Sequence, residues 1–499
     1  MKRYLPYVLV LVIALLLVVF ENDYLYALQD HSLFLRTPLF FEQQMEKPGG
    51  LLTWTACFLT QFFYYPILGV GILLLLWMVF MWLCQRTFRL QNTWLTLIPV
   101  ACLVLTITTL GYWLYFLKLP GHAFCATIGS IVAVALVWGY RTLPRRYHLP
   151  SVYIVFAAGL GYLSFGFYAL IATALMGIVS WREKYYRSDV FLALTQIIFW
   201  PLFGYYCGFH ETNIVNIYWA ALPVFAHQGE RFFAYNIPYI ILFASMALMA
   251  VKPGIKPSKR LNTGIVAFVA IGLCTFWYKD DNFHRELSMQ RNIERQAWEK
   301  VLTTAKGAKG EPTRAMCMMQ NLALFRLGRT GNEAFLYPNG AARYNVPFSI
   351  HAVHTVGKQL YLQYGVLNYC YRWCMEDGVE YGWTAGHLKL MAQCALLNRE
   401  NMAAQRFLNL LKKTTFHRRW ALRYEAMIHR PQLVLHDPAL SPILPLLRTD
   451  NFLTADQSQL EMFLVEQIVS TPGDTREQQT LANFTMRYYR RNKQQIMER

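Results

Sequence analysis

The chain begins as a series of long apolar runs and changes, after Trp277, to amphipathic segments separated by polar turns. A helix needs about 20 apolar residues to cross the hydrocarbon core of a bilayer. Apolar residues at helical spacing between polar turns predict a packed helical domain instead. We therefore predict an all-α protein, with a polytopic membrane domain over residues 1–278 and a soluble helical domain over residues 279–499.

The apolar runs predict about nine membrane spans. They cover residues 4–20, 66–84, 94–116, 123–140, two in 151–180, 190–208, 236–251 and 262–278. No small-residue cleavage site follows the first run, so we expect it to remain as an uncleaved span. Residues 51–65 precede Pro66 and are rich in aromatic side chains, so we expect them to lie at the membrane interface.

Residues 151–180 are long for one span and short for two, and Gly159, Gly161 and Gly166 favour a hairpin near the middle. With a hairpin, 14 of the 18 Lys and Arg residues before residue 261 lie in the cytoplasm, and with one span only 8 do. Basic loops stay in the cytoplasm, which favours the hairpin. A span at 214–227 would place 11 of these basic residues in the cytoplasm, but that segment is short and contains Pro223.

The hairpin sets the orientation that we expect. The N-terminus lies in the cytoplasm and the chain after residue 278 lies outside, which in a bacterium is the periplasm. The predicted location is therefore the bacterial inner (cytoplasmic) membrane, with the chain crossing it many times and contacting membrane lipid.

The C-terminal part carries helical hairpins. Residues 321–334 predict a helix, a tight turn and a second helix, and residues 387–413 repeat this pattern. Small residues followed by an aromatic residue four positions on suit closely packed helix pairs. The pattern resembles tetratricopeptide repeats, which stack 34-residue helix pairs into a solenoid. An irregular helical domain is the alternative, and either one suits binding of periplasmic or envelope proteins better than catalysis.

Composition narrows the function classes. The chain is 55% hydrophobic and only 15% charged, with a net charge of +18. Half of that excess lies in short loops between apolar runs, so orientation in the membrane explains it and no nucleic-acid partner is expected. The sequence lacks a phosphate-binding loop, HExxH, CxxC and GxSxG, which disfavours a nucleotide-driven pump or a zinc protease. Almost no charge lies inside the spans, which disfavours ion-coupled transport.

Acidic residues supply the candidate catalytic groups. Glu21, Asp23 and Asp30 follow the first span, and His210 and Glu211 lie on the same predicted side. Asp23 and Asp30 are two helical turns apart, so a helix would place them on one face. Such groups, with His227, can act as a general base and hold a divalent cation beside a lipid phosphate. The alternative is that acids simply populate loops outside the membrane.

Other residues suggest substrate contacts. Phe62, Tyr64 and Tyr65 can stack on a sugar or a prenyl chain, although an interfacial aromatic belt is the simpler account. Lys118 and His122 can meet a phosphate. His351 and His354 are one turn apart but lack a third ligand, so a packing or surface role is expected and no metal site is predicted. Cys370 and Cys374 are expected to be free buried thiols, because a disulfide within one helical turn is strained.

The layout resembles polytopic glycosyltransferases of the C class. These enzymes have many spans, a catalytic acid soon after the first span, and often a soluble domain outside. The resemblance covers residues 1–278 and rests on Glu21, Asp23 and Asp30; an Asn stands between the first two. It implies transfer of a sugar from a polyprenyl-phosphate donor.

Three sequence motifs carry a closer resemblance. They are PGGLL from Pro48, FLTQFFYY from Phe58, and NLALF from Asn321 followed by LGRTG. They are similar to an uncharacterised family of polytopic membrane proteins from Bacteroides-type bacteria. This resemblance implies nine spans followed by a helical domain and implies no established activity.

Overall fold

The structure is a computed structural model that describes residues 4–144, 148–225, 232–329, 333 and 353–447. Every regular element within these residues is helical, which confirms the predicted all-α class. The chain divides into two compact units, Met1–Lys279 and Asp280–Arg499, here called the N-terminal and C-terminal units. The division falls close to the boundary at residue 278 that the change in pattern indicates.

The N-terminal unit is a bundle of helices numbered in chain order. They are α1 (Leu5–Phe20), α2 (Asn22–Asp30), α3 (Pro38–Met45), α4 (Gly50–Thr60), α5 (Pro66–Phe88), α6 (Leu97–Thr108), α7 (His122–Thr142), α8 (Leu149–Phe165), α9 (Phe167–Glu183), α10 (Arg187–Cys207), α11 (Ile214–Tyr218), α12 (Phe232–Val251) and α13 (Lys259–Phe276). Short 3₁₀ turns occupy Gln61–Tyr64, Thr93–Thr96 and Gly111–Tyr115. The residues between the first two predicted spans therefore form helices α2, α3 and α4 rather than an open loop.

Five of the described helices, α5, α7, α10, α12 and α13, are long and apolar enough to cross a membrane. The count rises to six if α1 and α2, which are bent by 79°, form one span. This is fewer than the nine spans predicted, because several apolar helices are short. Residues 94–116 are not one helix: α6 ends at Thr108, and Gly111 takes a φ of 55° at the start of a 3₁₀ turn.

The apolar helices alternate in direction, as hydrogen bonds between their ends show. Five of these bonds lie at the end of the bundle where α1 begins. They join Gln85 to Tyr7 (3.0 Å), Asn92 to Asn262 (2.9 Å), Arg141 to Glu183 (2.6 Å), Ser151 to Asp189 (2.5 Å) and Arg182 to the Ala250 carbonyl (2.5 Å). These residues belong to the starts of α1, α8, α10 and α13, to the residue before the 3₁₀ turn that leads into α6, and to the ends of α5, α7, α9 and α12. We call this end of the N-terminal unit the basic pole, and the opposite end the aromatic pole.

The turn between α8 and α9 requires a glycine. Gly166 has φ 58° and ψ −132°, and a Cβ there would lie 2.5 Å from the Ala220 carbonyl oxygen. Side chains cannot fit that space, and L residues rarely adopt that backbone conformation. Gly161 and Ala169 then meet across the two helices. The predicted break within 151–180 is confirmed as two helices joined at Gly166, whereas the described part of the other candidate span, residues 214–225, contains only the five-residue α11.

Helix α4 packs into the bundle along one side. Leu52 and Ala56 are fully buried, Gly49 N–H donates to the Leu163 carbonyl of α8 (3.0 Å), and Gly121 at the start of α7 lies against Ala56 and Cys57. The segment expected at the membrane interface is therefore part of the helical core on that side.

The C-terminal unit is a series of shorter helices. They are α14 (Asp281–Glu294), α15 (Trp298–Lys306), α16 (Arg314–Arg326), α17 (Lys358–Gln363), α18 (Leu367–Glu380), α19 (Ala385–Leu397), α20 (Asn401–Lys412), α21 (Arg418–His429) and α22 (Gln432–His436). A π-helical turn at Val353–Gly357 leads into α17, and a 3₁₀ turn follows at Ser441–Leu446. Neighbouring helices from α14 to α16 and from α17 to α21 pack on each other. The sequence also predicts a final helix after Thr475, which lies outside the described residues.

One turn recurs through this unit. Gln296, Gly328, Gly365 and Arg399 have φ of 57°, 66°, 75° and 62°. At each, its N–H donates to the carbonyl three residues earlier, and the next N–H donates to the carbonyl five residues earlier. This is the Schellman arrangement that ends a helix and reverses the chain. The four turns are 32, 37 and 34 residues apart.

Candidate functional site

Glu21 occupies the bend between α1 and α2. Its N–H bonds the Leu17 carbonyl at the end of α1, and its own carbonyl accepts from Leu25 of α2. The carboxylate is 3% exposed, and the Trp277 Nε1–H donates to it at 2.6 Å. The residue therefore fixes the junction of α1 with the end of α13, which is a structural contact at a position predicted to be catalytic.

Asp23 and Asp30 both lie on α2 and are half-buried. Because the segment is helical, the seven-residue spacing places them on one face. Tyr26 lies between them along the helix, and its ring centroid is 6.1 Å from that of Tyr64. The structure thus brings the acidic helix and the predicted aromatic segment together.

The aromatic segment is divided between core and surface. Phe62 and Tyr64 are half-buried and Tyr65 is 57% exposed, while Phe63 is fully buried against Phe124 of α7. Phe62 also packs edge-on against Phe58. One turn therefore anchors itself through Phe63 and presents the other three rings along the surface.

The end of α6 organises the aromatic pole. Its successive carbonyls at Thr106, Ile107 and Thr108 accept hydrogen bonds from His122 Nε2 (2.8 Å), Tyr24 Oη (2.5 Å) and the Tyr278 N–H (3.0 Å). The last carbonyls of a helix have no partner within it. Here three other elements satisfy them, which locks α2, α7 and the residues after α13 to one point.

Lys118 and His122 occupy different environments. Lys118 is exposed, whereas His122 is 5% exposed. Because a carbonyl can only accept, His122 Nε2 carries the proton and Nδ1 is the acceptor. Nδ1 is buried without a hydrogen-bond partner within the described residues. His122 therefore faces the interior rather than the loop where a phosphate contact is predicted.

His210 and Glu211 lie in the exposed loop between α10 and α11. Over the described ranges, no hydrogen bond or ion pair joins either of them to the acids of α2. His227 and His351 fall outside the described residues. The described geometry thus unites α2 with the tyrosines and leaves the His210 loop apart from them.

No group of three His, Cys, Asp or Glu side chains suited to a metal ion occurs in the part of the chain that the structure describes. The expected divalent cation stays a prediction. All ten cysteines are free, with Cys370 and Cys374 buried, as predicted.

His354 has a packing role within what we call the triad cluster. Its Nδ1 lies 2.8 Å from Asp377 Oδ1, and Lys358 Nζ donates to Asp377 Oδ2 and to the His354 carbonyl. Burial works to raise the pKa of the Asp377 carboxyl, but Lys358 and then His354 outweigh it and lower that pKa to about 2. The carboxylate therefore stays ionised. We call the cluster closed, because both oxygens of Asp377 have partners within it.

A second buried ion cluster, which no sequence motif marks, lies at the basic pole. It contains Thr87, Arg141, Arg182 and Glu183, here called the arginine cluster. The signal in the sequence is an Arg directly after an apolar run, which by itself indicates only the cytoplasmic side.

The fold thus defines an all-helical protein with several helices able to span a membrane. The chain belongs to a family of unknown function, DUF6057, whose model matches residues 1–479. This confirms the predicted uncharacterised family; the bacterial group and the glycosyltransferase-like layout stay predictions. No curated protein and no solved structure matches the chain.

Proposed function

We propose that the protein crosses the inner membrane nine times and holds a helical-repeat unit outside that binds a protein partner of the cell envelope. The alternation of α1, α5 to α10, α12 and α13 between the two poles supports nine crossings, because each ends at the pole where the next begins. The basic pole carries Arg86, Arg89 and Lys252, as expected of a cytoplasmic side.

Cysteine labelling tests this topology. In a background with Cys207 and Cys274 replaced by Ser, a Gly254→Cys variant lies between α12 and α13 and a Gln43→Cys variant lies in α3; both positions are exposed. We expect a membrane-impermeant maleimide to label residue 43 in intact cells and residue 254 only after lysis. Labelling of both from one side would contradict the proposed topology.

The recurring Schellman turn is the observation that carries the binding function. Its spacing of 32 to 37 residues is close to the 34 residues of a tetratricopeptide repeat. In this interpretation α14 with α15, α17 with α18 and α19 with α20 are hairpins of one array. Arrays of this kind present extended surfaces that bind proteins.

Exposed apolar side chains indicate where the partner binds. Val379 and Met375 are 76% and 38% exposed, one turn apart on α18, and Met402 on α20 is 79% exposed. Both helices are second members of their hairpins. Contiguous exposed apolar patches are typical of protein-binding surfaces, and we propose these positions as the contact residues.

Site-specific photo-crosslinking tests the partner proposal in the full-length protein in its own membrane. We expect a photoreactive residue at 379 or 402 to capture one defined protein, and one at the exposed Lys300 of α15 to capture none. A Val379→Ser, Met402→Ser variant should lose that protein at normal expression, unlike Lys300→Ser. Identical products at all three positions would count against the function.

The second candidate is sugar transfer from a polyprenyl-phosphate donor. The contact between Tyr26 of α2 and Tyr64 favours it, because rings beside two acids can hold a sugar while a carboxylate acts as the base. Glycan output of an Asp23→Asn, Asp30→Asn variant is the test, with Glu42→Gln on α3 as the matched control. Unchanged output at normal expression would leave partner binding as the sole proposal.

A further inference from the structure

The arginine cluster lies where α5, α7, α9 and α12 end at the basic pole. Arg141 Nη1 donates to the Thr87 carbonyl, and Arg182 Nη1 donates to the Ala250 carbonyl at 2.5 Å. Both acceptors are carbonyls in the last turns of helices, where a cation is favourable. Each of these two bonds uses the Nη1 group of one guanidinium.

The charges of the cluster do not balance. The Nη2 groups of Arg141 and Arg182 donate to the same oxygen, Glu183 Oε1, with 2.6 Å to Arg141. Tyr185 donates to the other oxygen. The side chains of Arg141, Arg182 and Glu183 are 4%, 19% and 17% exposed. Two largely buried cations therefore share one carboxylate.

Neighbouring groups do not correct this imbalance. Arg89 lies close enough to Arg141 to repel it. The fully buried carboxylate of Asp189, at the start of α10, accepts from Tyr140 (2.8 Å) and Ser151 (2.5 Å) instead. An uncompensated buried charge is strongly unfavourable, so the cluster is suited to a further anion.

Two unsatisfied polar atoms belong to the same pair of bonded residues. Arg141 Nε and Thr87 Oγ1 are both buried without a hydrogen-bond partner within the described ranges. The Thr87 side chain is in a residue only 1% exposed. A guanidinium N–H and a hydroxyl are both donors that a phosphate oxygen accepts. These atoms give the site its specific contacts as well as its charge.

We propose that the arginine cluster binds a phosphate group through Arg141 Nε, the Thr87 hydroxyl and the excess positive charge of Arg141, Arg182 and Arg89. The phosphate can belong to the head group of an anionic lipid or to free inorganic phosphate. Basic pockets between helix ends on the cytoplasmic side are known to select anionic head groups. The lipid source depends on the proposed membrane crossing, whereas the phosphate chemistry does not.

The experiment uses the full chain in phosphatidylcholine nanodiscs, with and without phosphatidylglycerol. Native mass spectrometry measures the phosphatidylglycerol that stays bound, and the thermal midpoint measures protection. A parallel titration adds inorganic phosphate to the phosphatidylcholine discs, against chloride at equal ionic strength. Retention of phosphatidylglycerol without a phosphate response identifies a lipid head group, and a phosphate response identifies the free ion as a ligand.

Thr87→Val is the decisive variant. It replaces a hydroxyl that has no partner among the described residues with a methyl group of similar size, so folding should be unchanged, yet affinity for the phosphate ligand should fall about tenfold through loss of a hydrogen bond to a charged group. Arg141→Gln should weaken binding further, and Arg141→Lys should bind at an intermediate level, because it keeps the charge and loses Nε. Arg260→Gln, an exposed arginine of α13, is the matched control and should bind like the wild type.

The outcomes separate clearly. Loss of binding in Thr87→Val with a wild-type thermal midpoint in plain discs supports the site even if Arg141→Gln fails to fold. Equal retention of phosphatidylglycerol by Thr87→Val and Arg260→Gln, with no response to phosphate, would overturn the proposal. The two arginines would then serve only to cap α5 and α12.

Discussion

The triad cluster of the C-terminal unit and the arginine cluster of the N-terminal unit both bury cations with a single carboxylate, but only the triad cluster is closed. In it, Lys358 and His354 occupy both oxygens of Asp377. In the arginine cluster two guanidiniums share Glu183, and an N–H and a hydroxyl have no described partner. Burial alone does not distinguish a structural cluster from a binding site. The balance of charges and donors does.

Removing Asp377 should give the largest effect. An Asp377→Asn variant leaves Lys358, which is 6% exposed, without a counter-ion. Breaking a buried ion pair from one side costs about 3 kcal/mol of unfolding free energy or more. We expect amide hydrogen exchange in α18 of the reconstituted protein to speed up about a hundredfold. The neighbouring Glu376→Gln, which breaks only the exposed pair with Arg372, should change it little.

The same substitution in the arginine cluster sharpens the contrast. Glu183→Gln removes the shared carboxylate, and we expect it to lower the unfolding free energy by about 2 kcal/mol in neutral lipid discs. Because an open cluster can take another anion, phosphatidylglycerol should restore part of that loss. Neither lipid should restore the stability that the Asp377→Asn variant loses. Equal behaviour of the two variants in both lipids would mean that the clusters do not differ in kind.

Much of this fold could be predicted from the apolar pattern, and the limits have physical causes. The start of α5 at Pro66 follows from a residue that fixes φ, and the start of α9 after Gly166 follows from a residue that permits a turn other residues rarely adopt. The break between α6 and Gly111 could not be predicted from hydropathy, because residues 94–116 are uncharged and mostly apolar, whereas in the fold Tyr278 packs against Gly111 at the turn. Hydropathy carries no information about such a contact.

The candidate sites show the same limit. The helical spacing of Asp23 and Asp30 is local and could be predicted. The hydrogen bond from Trp277 to Glu21 joins residues 256 apart in sequence, so the burial of Glu21 could not be predicted. Arg141 and Glu183 likewise come together only through packing of α7 on α9. Arg141, which the apolar pattern alone identifies only as a marker of orientation, is thus part of a buried polar cluster.

Acid should affect the C-terminal unit through His417, and this is the smallest expected effect. Burial lowers the pKa of His417 to about 3, Lys389 adds to the shift, and Glu294 opposes it. Between that value and the unfolded pKa of about 6.5, the unfolded chain binds a proton that the folded chain does not, so stability falls as pH falls. From pH 7.5 to about pH 5.5 the loss is about 1 kcal/mol. Hydrogen exchange in α21 should report it, and His417→Gln should remove it. Asp377 should contribute nothing in this range, because its carboxyl stays ionised down to about pH 2 and its stabilisation is lost only as pH falls from about 4 toward that value. A pH dependence that survives in His417→Gln would therefore identify a different titrating group and contradict this assignment.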